Sequence, residues 1–307
     1  MNLNETAIQL ECRKDGLDIA EYPLFRVVQV IYTLLSLASI PLLLYVQIKY
    51  IFGSIFHGNI KIVLILYYSM ALLHSAGYSI VQVLTLLAIC CERIVATVRS
   101  SKYESHGMTL GLVLLALVIL GVVVVTHSVY KIEEFNVKVW SAFTVPPGAV
   151  KEFNQLSMLT TFTGFVCIIA FYVSLRINKK RCSLGTATLT SRYQIRENII
   201  TTEFASHIAT LQVFLSLLHG ACGLFIREFG GQLLVNKKLH SSLRLIFYVV
   251  PIFTVLLPIY SIYRLKYYRL DRINTIRSVV TMESRGVAGT RNYEEIIARS
   301  WQHNRKS

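Results

Sequence analysis

The feature that most constrains this sequence is a set of long apolar runs without a single Asp, Glu, Lys or Arg. Six runs have this property, at residues 27–48, 62–91, 108–126, 156–175, 204–226 and 245–263. A helix needs about 20 residues to cross the hydrocarbon core of a bilayer, and it satisfies its backbone hydrogen bonds within itself. The runs therefore predict an all-α, polytopic transmembrane helical bundle over residues 25–263.

Composition supports the membrane assignment. Hydrophobic residues make up 54% of the chain and charged residues only 16%, whereas soluble domains carry about 25% charged residues. The net charge of +14 comes from basic residues beside the apolar runs, where membrane proteins concentrate them in cytoplasmic loops. We therefore expect a lipid bilayer, and no nucleic acid, as the partner of these charges.

The distribution of basic residues predicts the orientation of the second half of the chain. Lys and Arg number ten in residues 264–307 and six in residues 176–203, but three in each of the loops 127–154 and 227–243. Cytoplasmic segments carry the excess of Lys and Arg. The loop 176–203 and the C-terminal tail are therefore predicted to be cytoplasmic, and the other two loops extracellular.

Three segments are predicted to lie outside the bundle. Residues 1–24 form an N-terminal extracellular segment, in which the sequon Asn4-Glu5-Thr6 makes Asn4 a candidate glycosylation site. Residues 264–277 mix apolar and basic side chains, a pattern typical of an amphipathic helix on the membrane surface. Residues 278–307 are predicted to be a cytoplasmic tail without stable structure.

The first half of the chain gives conflicting signals about orientation. The sequon favours an outside N-terminus, whereas Lys49 and Lys61 favour a cytoplasmic first loop, so run 62–91 would have to begin and end in the cytoplasm. Thirty residues form a helix of about 45 Å, too long for one straight span and too short for two spans and a turn. Either the run is one long tilted span and the N-terminus is cytoplasmic, or a seven-span design has lost a segment.

Three stretches at the predicted cytoplasmic boundaries resemble the nematode serpentine chemoreceptors of the Sra superfamily (Sra, Srab, Srb and Sre), and Srab most. They are Phe56–Lys61, Glu92–Thr97 followed by Lys102-Tyr103-Glu104, and Leu189–Ile199. The resemblance covers residues 25–280. It implies a seven-span, G-protein-coupled receptor for an unknown small-molecule cue, with a heterotrimeric G protein as partner and the plasma membrane of sensory neurons as its location.

The chain departs from this family where the orientation conflict arises. In the family, the stretch like Phe56–Lys61 opens the second helix and the stretch like Glu92–Thr97 closes the third. Here only the 30 residues 62–91 separate the two stretches. We interpret this as the absence of the outer end of helix two, the first extracellular loop and the outer part of helix three. A receptor shortened in this way is predicted to signal weakly or not at all relative to a full-length relative.

Two groups of charged residues are candidates for coupling to the G protein. Glu92-Arg93 resembles the acid–arginine pair with which rhodopsin-like receptors switch between packings; the alternative is an interfacial pair that snorkels and sets orientation. Arg192 and Arg196 share one helical face, and with Tyr193 and Glu197 they are predicted to face the G protein. The alternative for this second group is a solvated helix extension or a basic patch that attracts lipid.

Four polar side chains within the apolar runs are candidates to line a ligand cavity, because polar groups in lipid face the bundle interior. They are His74, His207, Gln212 and His219. The alternative for each is a hydrogen bond to a neighbouring helix. No pair has metal-ligand spacing with a third donor nearby, so neither a metal nor a cofactor is expected.

Other functions are less well supported by the sequence. If residues 62–91 form a single span, the chain would have six spans and could be a channel or transporter. Transporters, however, usually carry ionisable groups inside the membrane and consist of repeated halves. We find no such groups in the runs, no internal repeat and none of the motifs HExxH or GxSxG. The chain is therefore not expected to be an enzyme. A truncated receptor isoform that does not signal stays an alternative.

Overall fold

The computed structural model describes residues 14, 16–54, 56–72, 79–99, 107–129, 150–183, 189–233, 236–280, 287 and 289–295. All regular elements in this part of the chain are helices. Helix α1 (Pro23–Tyr45) continues into a π-helix (Val46–Phe52). It is followed by α2 (Gly58–Leu72), α3 (Ser79–Val98), α4 (Thr109–Val129), α5 (Val150–Ser183), α6 (Leu189–Leu233), α7 (Lys237–Ile246) and α8 (Val250–Val280).

Among the described residues, six helical segments are long and apolar enough to cross a membrane, and α2, with 15 residues, is a shorter apolar helix. Exposed large apolar side chains cover the outward faces of α1, α4 and α5, as expected for helices that face lipid rather than water. The predicted all-α transmembrane bundle is confirmed.

The apolar run 62–91 forms two helices, α2 and α3, instead of one long span. The backbone N–H of His57, just before α2, donates to Glu197 on α6, and Arg93, near the end of α3, donates to the next residue, Asn198. The beginning of α2 and the end of α3 therefore lie at the same level. The run is a hairpin, as in the seven-span alternative, with a first helix that is short for a membrane span.

Contacts of α4 and α5 show that these helices also run antiparallel to their neighbours in sequence. The backbone N–H of Gly111, in the first turn of α4, donates to Asn59 Oδ1 at 2.9 Å, and Asn178, near the end of α5, donates to Thr97 Oγ1 at 3.0 Å. The beginnings of α2 and α4 and the ends of α3 and α5 therefore share one end of the bundle. We call it the basic end, because the exposed side chains of Arg99, Lys179 and Lys180 lie there.

The short helix α7 lies at the opposite end. The hydroxyl of Tyr32 on α1 donates to the carbonyl of Ile246, and His219 Nδ1 on α6 lies 2.7 Å from the carbonyl oxygen of Phe247. The predicted run 245–263 is therefore divided, since α7 ends at Ile246 and α8 begins at Val250. Proline at the second position of α8 fits this boundary, because the missing N–H lies in the first turn, where it has no helical partner.

Helix α8 contacts the bundle through Ser261, whose hydroxyl is hydrogen-bonded to the hydroxyl of Tyr68 in the third turn of α2. Residues 262–307 form a second compact unit. Because α8 is continuous to Val280, the helix predicted over residues 264–277 exists as a continuation of α8, and its placement on the membrane surface stays a prediction. Residues 289–295 are also helical, unlike the predicted unstructured tail.

Burial is concentrated in the half of the bundle nearer the basic end. Helix α6 contributes twelve buried side chains between Gln194 and Leu215, whereas none of the residues 216–225, all of them described, is buried. Helix α4 is similar, with buried residues from Gly111 to Val118 and none over 119–128. The tightly packed half is therefore the half that holds the charged stretches singled out in the sequence.

Candidate functional site

The site begins with an ion pair between neighbours in sequence. Glu92 and Arg93 on α3 are 0% and 1% exposed, and Nε and Nη2 of Arg93 donate to the two carboxylate oxygens of Glu92. A charge withdrawn from water is tolerated when it is paired and hydrogen-bonded. Because neither side chain reaches a surface, the geometry argues against the alternative of a snorkelling interfacial pair.

Asn198 on α6 joins this pair to a second helix. Its Oδ1 accepts from Arg93 Nη1 at 3.4 Å, and its Nδ2 donates to the carbonyl of Ala96, one turn further along α3, at 3.2 Å. Both ends of one carboxamide are therefore used between α6 and α3.

Glu197, the residue before Asn198, holds the beginning of α2. Its Oε1 accepts from the backbone N–H of His57 at 2.7 Å. The ring of His57 in turn accepts at Nδ1 from the backbone N–H of Asn59 at 3.3 Å. The first N–H groups of a helix have no partner within the helix, and a negative charge there is favourable. Glu197 and His57 therefore act together as the N-terminal cap of α2.

Thr97 links α3 to α5 in the same region. Its hydroxyl donates to the carbonyl of Arg93 at 2.8 Å and accepts from Asn178 Nδ2 at 3.0 Å, and its own carbonyl accepts from Arg181. The arginine thus satisfies a carbonyl in the last turn of α3, where a positive charge is favourable.

These contacts define one polar cluster that joins α2, α3, α5 and α6. We call it the basic-end cluster; its members are His57, Glu92, Arg93, Thr97, Asn178, Arg181, Glu197 and Asn198. At its centre is one buried guanidinium, that of Arg93, which is hydrogen-bonded to Glu92 and Asn198. Within the described part of the chain, no group of three or more His, Cys, Asp or Glu side chains could hold a metal ion.

The predicted G-protein-facing residues are divided by the structure. Arg196 is exposed on α6, whereas Glu197 is half-buried against the beginning of α2. Arg192 and Tyr193 belong to α6, but their side chains lie outside the described residues. The four residues therefore do not form one uniform surface, because Glu197 is directed into the bundle.

The structure does not bring the described ligand-cavity candidates together. Gln212 is buried and accepts from the Tyr67 hydroxyl on α2 at 2.7 Å, so it serves as an interhelical contact. His207 is exposed and lies against the carbonyl of Glu203 in its own helix, and His219 lies at the opposite end of the bundle, by Phe247. His74, like Asn4, lies outside the described residues.

Sequence reasoning missed several polar residues of the packed half, namely Asn59, Tyr67, Tyr68, Thr97, Asn178, Asn198 and Ser261. Asn59, Thr97 and Asn198 lie within the three stretches that carry the family resemblance. The uncharged polar side chains of these stretches are a signal that could have indicated contacts between helices. Tyr67 and Tyr68 are adjacent, yet both are 0% exposed. Helical periodicity would have assigned them to different faces.

The arrangement defines a class of protein. In the described part of the chain, antiparallel helices pack into a bundle, six helical segments are long and apolar enough for a membrane span, and the packed half encloses a buried ionic cluster. This is the architecture of a serpentine, multi-pass membrane receptor.

The family follows from comparison with known proteins. The model of the serpentine type 7TM GPCR receptor class ab chemoreceptor family matches residues 11–81 and 75–301, and the chain belongs to that family. It is therefore a multi-pass membrane protein of a chemoreceptor class, which is not a class of enzymes. The predicted membership of the Sra superfamily is confirmed.

Curated relatives are receptors of the nematode Caenorhabditis elegans. Serpentine receptor class beta-3 is 27% identical, with 92% of this chain and 94% of the relative covered. Serpentine receptor class beta-16 is 26% identical, with 91% and 93% covered, and class beta-1 is 24% identical, with 92% and 95% covered. No solved structure matches this chain.

The family match is divided within the hairpin. The two matched pieces overlap at residues 75–81, between α2 and the first turn of α3. The alignment with the class beta-3 receptor has 320 positions, more than the 307 residues of this chain, although only 92% of the chain is aligned. The relative therefore has residues without a counterpart here, and the break in the family match falls in the hairpin.

Proposed function

We propose that this chain is a G-protein-coupled chemosensory receptor in the plasma membrane of sensory neurons. In this proposal an unknown small-molecule cue acts from the extracellular side and a heterotrimeric G protein binds at the basic end, which is cytoplasmic. Membership of a chemoreceptor family favours this function over the six-span channel or transporter.

The observation that carries the proposal is the adjacency of Glu197 and Asn198 on α6. One residue holds the beginning of α2 and the next holds the end of α3. Helix α6 therefore cannot separate from the α2–α3 hairpin without releasing both contacts at once. In this proposal the receptor has two packings, a closed one in which both contacts are made and an open one in which both are released, and a ligand shifts the balance between them.

The buried ion pair keeps the free-energy difference between the two packings small. When Asn198 leaves Arg93, the guanidinium keeps both hydrogen bonds to Glu92, so no buried charge is left without a partner. A change from 1% to 99% of the open packing requires about 5.5 kcal/mol of differential binding. A G protein that binds only the open packing can supply energy on that scale.

The proposal is tested without a cue, because a weakened switch raises basal activity. Receptor reconstituted in nanodiscs with heterotrimeric G protein would be compared as wild type and as Asn198→Ala. The substitution removes both hydrogen bonds of the carboxamide to α3, and we expect basal nucleotide exchange to rise about fivefold for each hydrogen bond lost. The matched control is Ser216→Ala, an exposed position in the loosely packed half of the same helix, which should leave exchange unchanged. If well-folded Asn198→Ala receptor also behaves as wild type, the proposed switch is wrong.

A second candidate is a receptor isoform that no longer signals in response to cues. The short α2 and the break in the family match at residues 75–81 favour it. Replacing residues 73–78 with a longer apolar segment, which would give α2 and α3 full span length, is expected to strengthen responses to mixed volatile and water-soluble cues. If the 307-residue form responds to cues as strongly as the lengthened variant, the predicted loss of signalling is wrong. Coupling to the G protein is tested separately, by the basal nucleotide exchange of Asn198→Ala.

A further inference from the structure

The inference concerns a pair of cysteines inside the bundle and does not depend on G-protein coupling. Cys90 on α3 is 4% exposed and Cys167 on α5 is 0% exposed, and both carry free thiols. The two thiols lie within hydrogen-bonding reach of each other. A single buried cysteine packs as a small apolar side chain, whereas two thiols in contact are positioned to react with each other.

The packing of α3 against α5 accounts for this contact. The buried side chains of α5 between positions 154 and 183 follow one another at intervals of three or four residues and are Gly164, Cys167, Phe171, Ser174 and Asn178. This spacing places them on one face of the helix. Asn178 donates to Thr97 Oγ1 on α3 at 3.0 Å, and Thr97 follows Cys90 by two turns, on the same face of α3. The thiol pair and this hydrogen bond therefore belong to one interface.

The next residue on α3, Cys91, is exposed. Consecutive residues of an α-helix are about 100° apart around its axis, so the two neighbours present their thiols in different directions. Helix α3 thus carries two cysteines at almost the same position in sequence but in different surroundings. The comparison between them separates a reaction that depends on the interface from general oxidation of thiols.

We propose that Cys90 and Cys167 are a redox modification site, at which hydrogen peroxide converts the two thiols into a disulfide between α3 and α5. One sulfur attacks the peroxide, the O–O bond breaks, water leaves, and the sulfur becomes a sulfenic acid. The second sulfur then attacks the first, the S–O bond breaks, and the hydroxyl leaves as a second water with the remaining thiol proton. The two thiols lose two electrons in total, and one peroxide is reduced to two waters.

The surroundings favour a disulfide over a metal complex at this site. A metal ion would require both sulfurs as thiolates, and charged groups within a membrane span are costly. The dithiol and the disulfide are both neutral, and hydrogen peroxide is a small neutral molecule. The second thiol also lies close enough to capture the sulfenic acid before further oxidation, as a resolving cysteine does in redox sensors.

The disulfide would join two helices close to the basic-end cluster. Cys90 precedes Arg93 by three residues, and Thr97, on the same face of α3 as Cys90, is itself a member of the cluster. A covalent bond at this interface fixes α3 against α5 and constrains the unfolded chain, which stabilises the fold. Reduction restores the noncovalent interface, so the modification is reversible.

The test uses the full chain in phosphatidylcholine nanodiscs, first reduced and then treated with hydrogen peroxide. Remaining thiols are blocked with N-ethylmaleimide. Trypsin then releases peptide 62–93, which contains Cys90 and Cys91, and peptide 152–176, which contains Cys167. The proposal expects the two peptides to be joined, with a mass lower than their sum by two hydrogen atoms, and to be separated again by dithiothreitol. The unfolding temperature of the oxidised chain should rise by about 5 °C.

Matched variants assign the bond to one cysteine of α3. Cys91→Ser should form the joined peptides as the wild type does, whereas Cys90→Ser and Cys167→Ser should lose them. Fragmentation of the joined wild-type peptides gives the same assignment without a substitution, so the result does not depend on the folding of these two variants. The proposal is wrong if peroxide leaves the wild-type peptides unjoined. It is equally wrong if Cys91, rather than Cys90, carries the bond to Cys167, since oxidation would then not depend on the buried contact.

Discussion

Asn198 on α6 accepts a hydrogen bond from the guanidinium of Arg93 on α3, at 3.4 Å, across 105 positions of sequence. The same carboxamide donates to the carbonyl of Ala96, and the preceding Glu197 caps α2. Two consecutive residues of α6 therefore contact two other helices, α3 and α2.

Breaking the buried ion pair should destabilise the receptor strongly. In Glu92→Gln the guanidinium of Arg93 stays buried and loses its carboxylate, and removing one partner of such a pair costs about 3 kcal/mol or more. The measurement is thermal unfolding of purified receptor. Glu21→Gln, at an exposed position near the N-terminus, should unfold like the wild type, and equal stability of both variants would show that the pair is not buried.

The close approach of α4 to α2 should be sensitive to a single methyl group. A Cβ at Gly111 would lie 2.9 Å from the Cα and the carbonyl oxygen of Asn59, and overpacking of this kind costs about 2 kcal/mol. We expect Gly111→Ala to lower the unfolding temperature clearly. Gly223→Ala is the matched control, because a Cβ there meets nothing within 4 Å. Similar effects of both substitutions would contradict the packing described.

The hydrogen bond between Tyr67 and Gln212 should contribute modestly to stability. Tyr67→Phe removes the donor and leaves the buried carbonyl of Gln212 without this partner, at a cost of about 1 kcal/mol. Thermal unfolding would be compared with that of Tyr172→Phe, which removes a hydroxyl from an exposed tyrosine. The prediction fails if the two substitutions are equally harmless.

The topology of the hairpin is tested with accessibility tags in intact cells. The antiparallel arrangement of α2 and α3 predicts that tags at positions 57 and 103 are both cytoplasmic, with Asn4 outside and glycosylated. Tags at position 185 and at the C-terminus should also be cytoplasmic. A tag at position 57 that reacts from outside the cell would refute the seven-crossing arrangement and restore six crossings.

Local patterns predicted the helices and the ion pair well. Four of the six uncharged apolar runs correspond to one continuous helical segment each, whereas runs 62–91 and 245–263 are divided. Glu92 and Arg93 were singled out because they are neighbours in sequence and resemble a receptor motif. The partner of Arg93 was not predicted, since nothing in the spacing of Asn198 indicates a contact with α3. The sequence did not decide whether residues 62–91 form one span or a hairpin, because the 15-residue α2 is shorter than an expected membrane span. The direction of α2 follows only from its contact with α6.

The candidate ligand residues show where polarity alone is insufficient. His207, Gln212 and His219 all interrupt one apolar run, but helix contacts send them to an exposed face, an interhelical bond and the opposite end. What a polar side chain contacts depends on which helices pack beside it. That arrangement is determined by the packing of the whole bundle and cannot be read from one helix.

The central claim is that α6 separates from the hairpin at the basic end when the G protein binds. The most direct measurement is the distance between spin labels at Arg99 and Arg196, both exposed, in nanodiscs with and without nucleotide-free heterotrimeric G protein. The account predicts a second, longer distance with G protein, and a larger share of it in Asn198→Ala. A single unchanged distance, in the presence of demonstrated G-protein binding, would contradict the account.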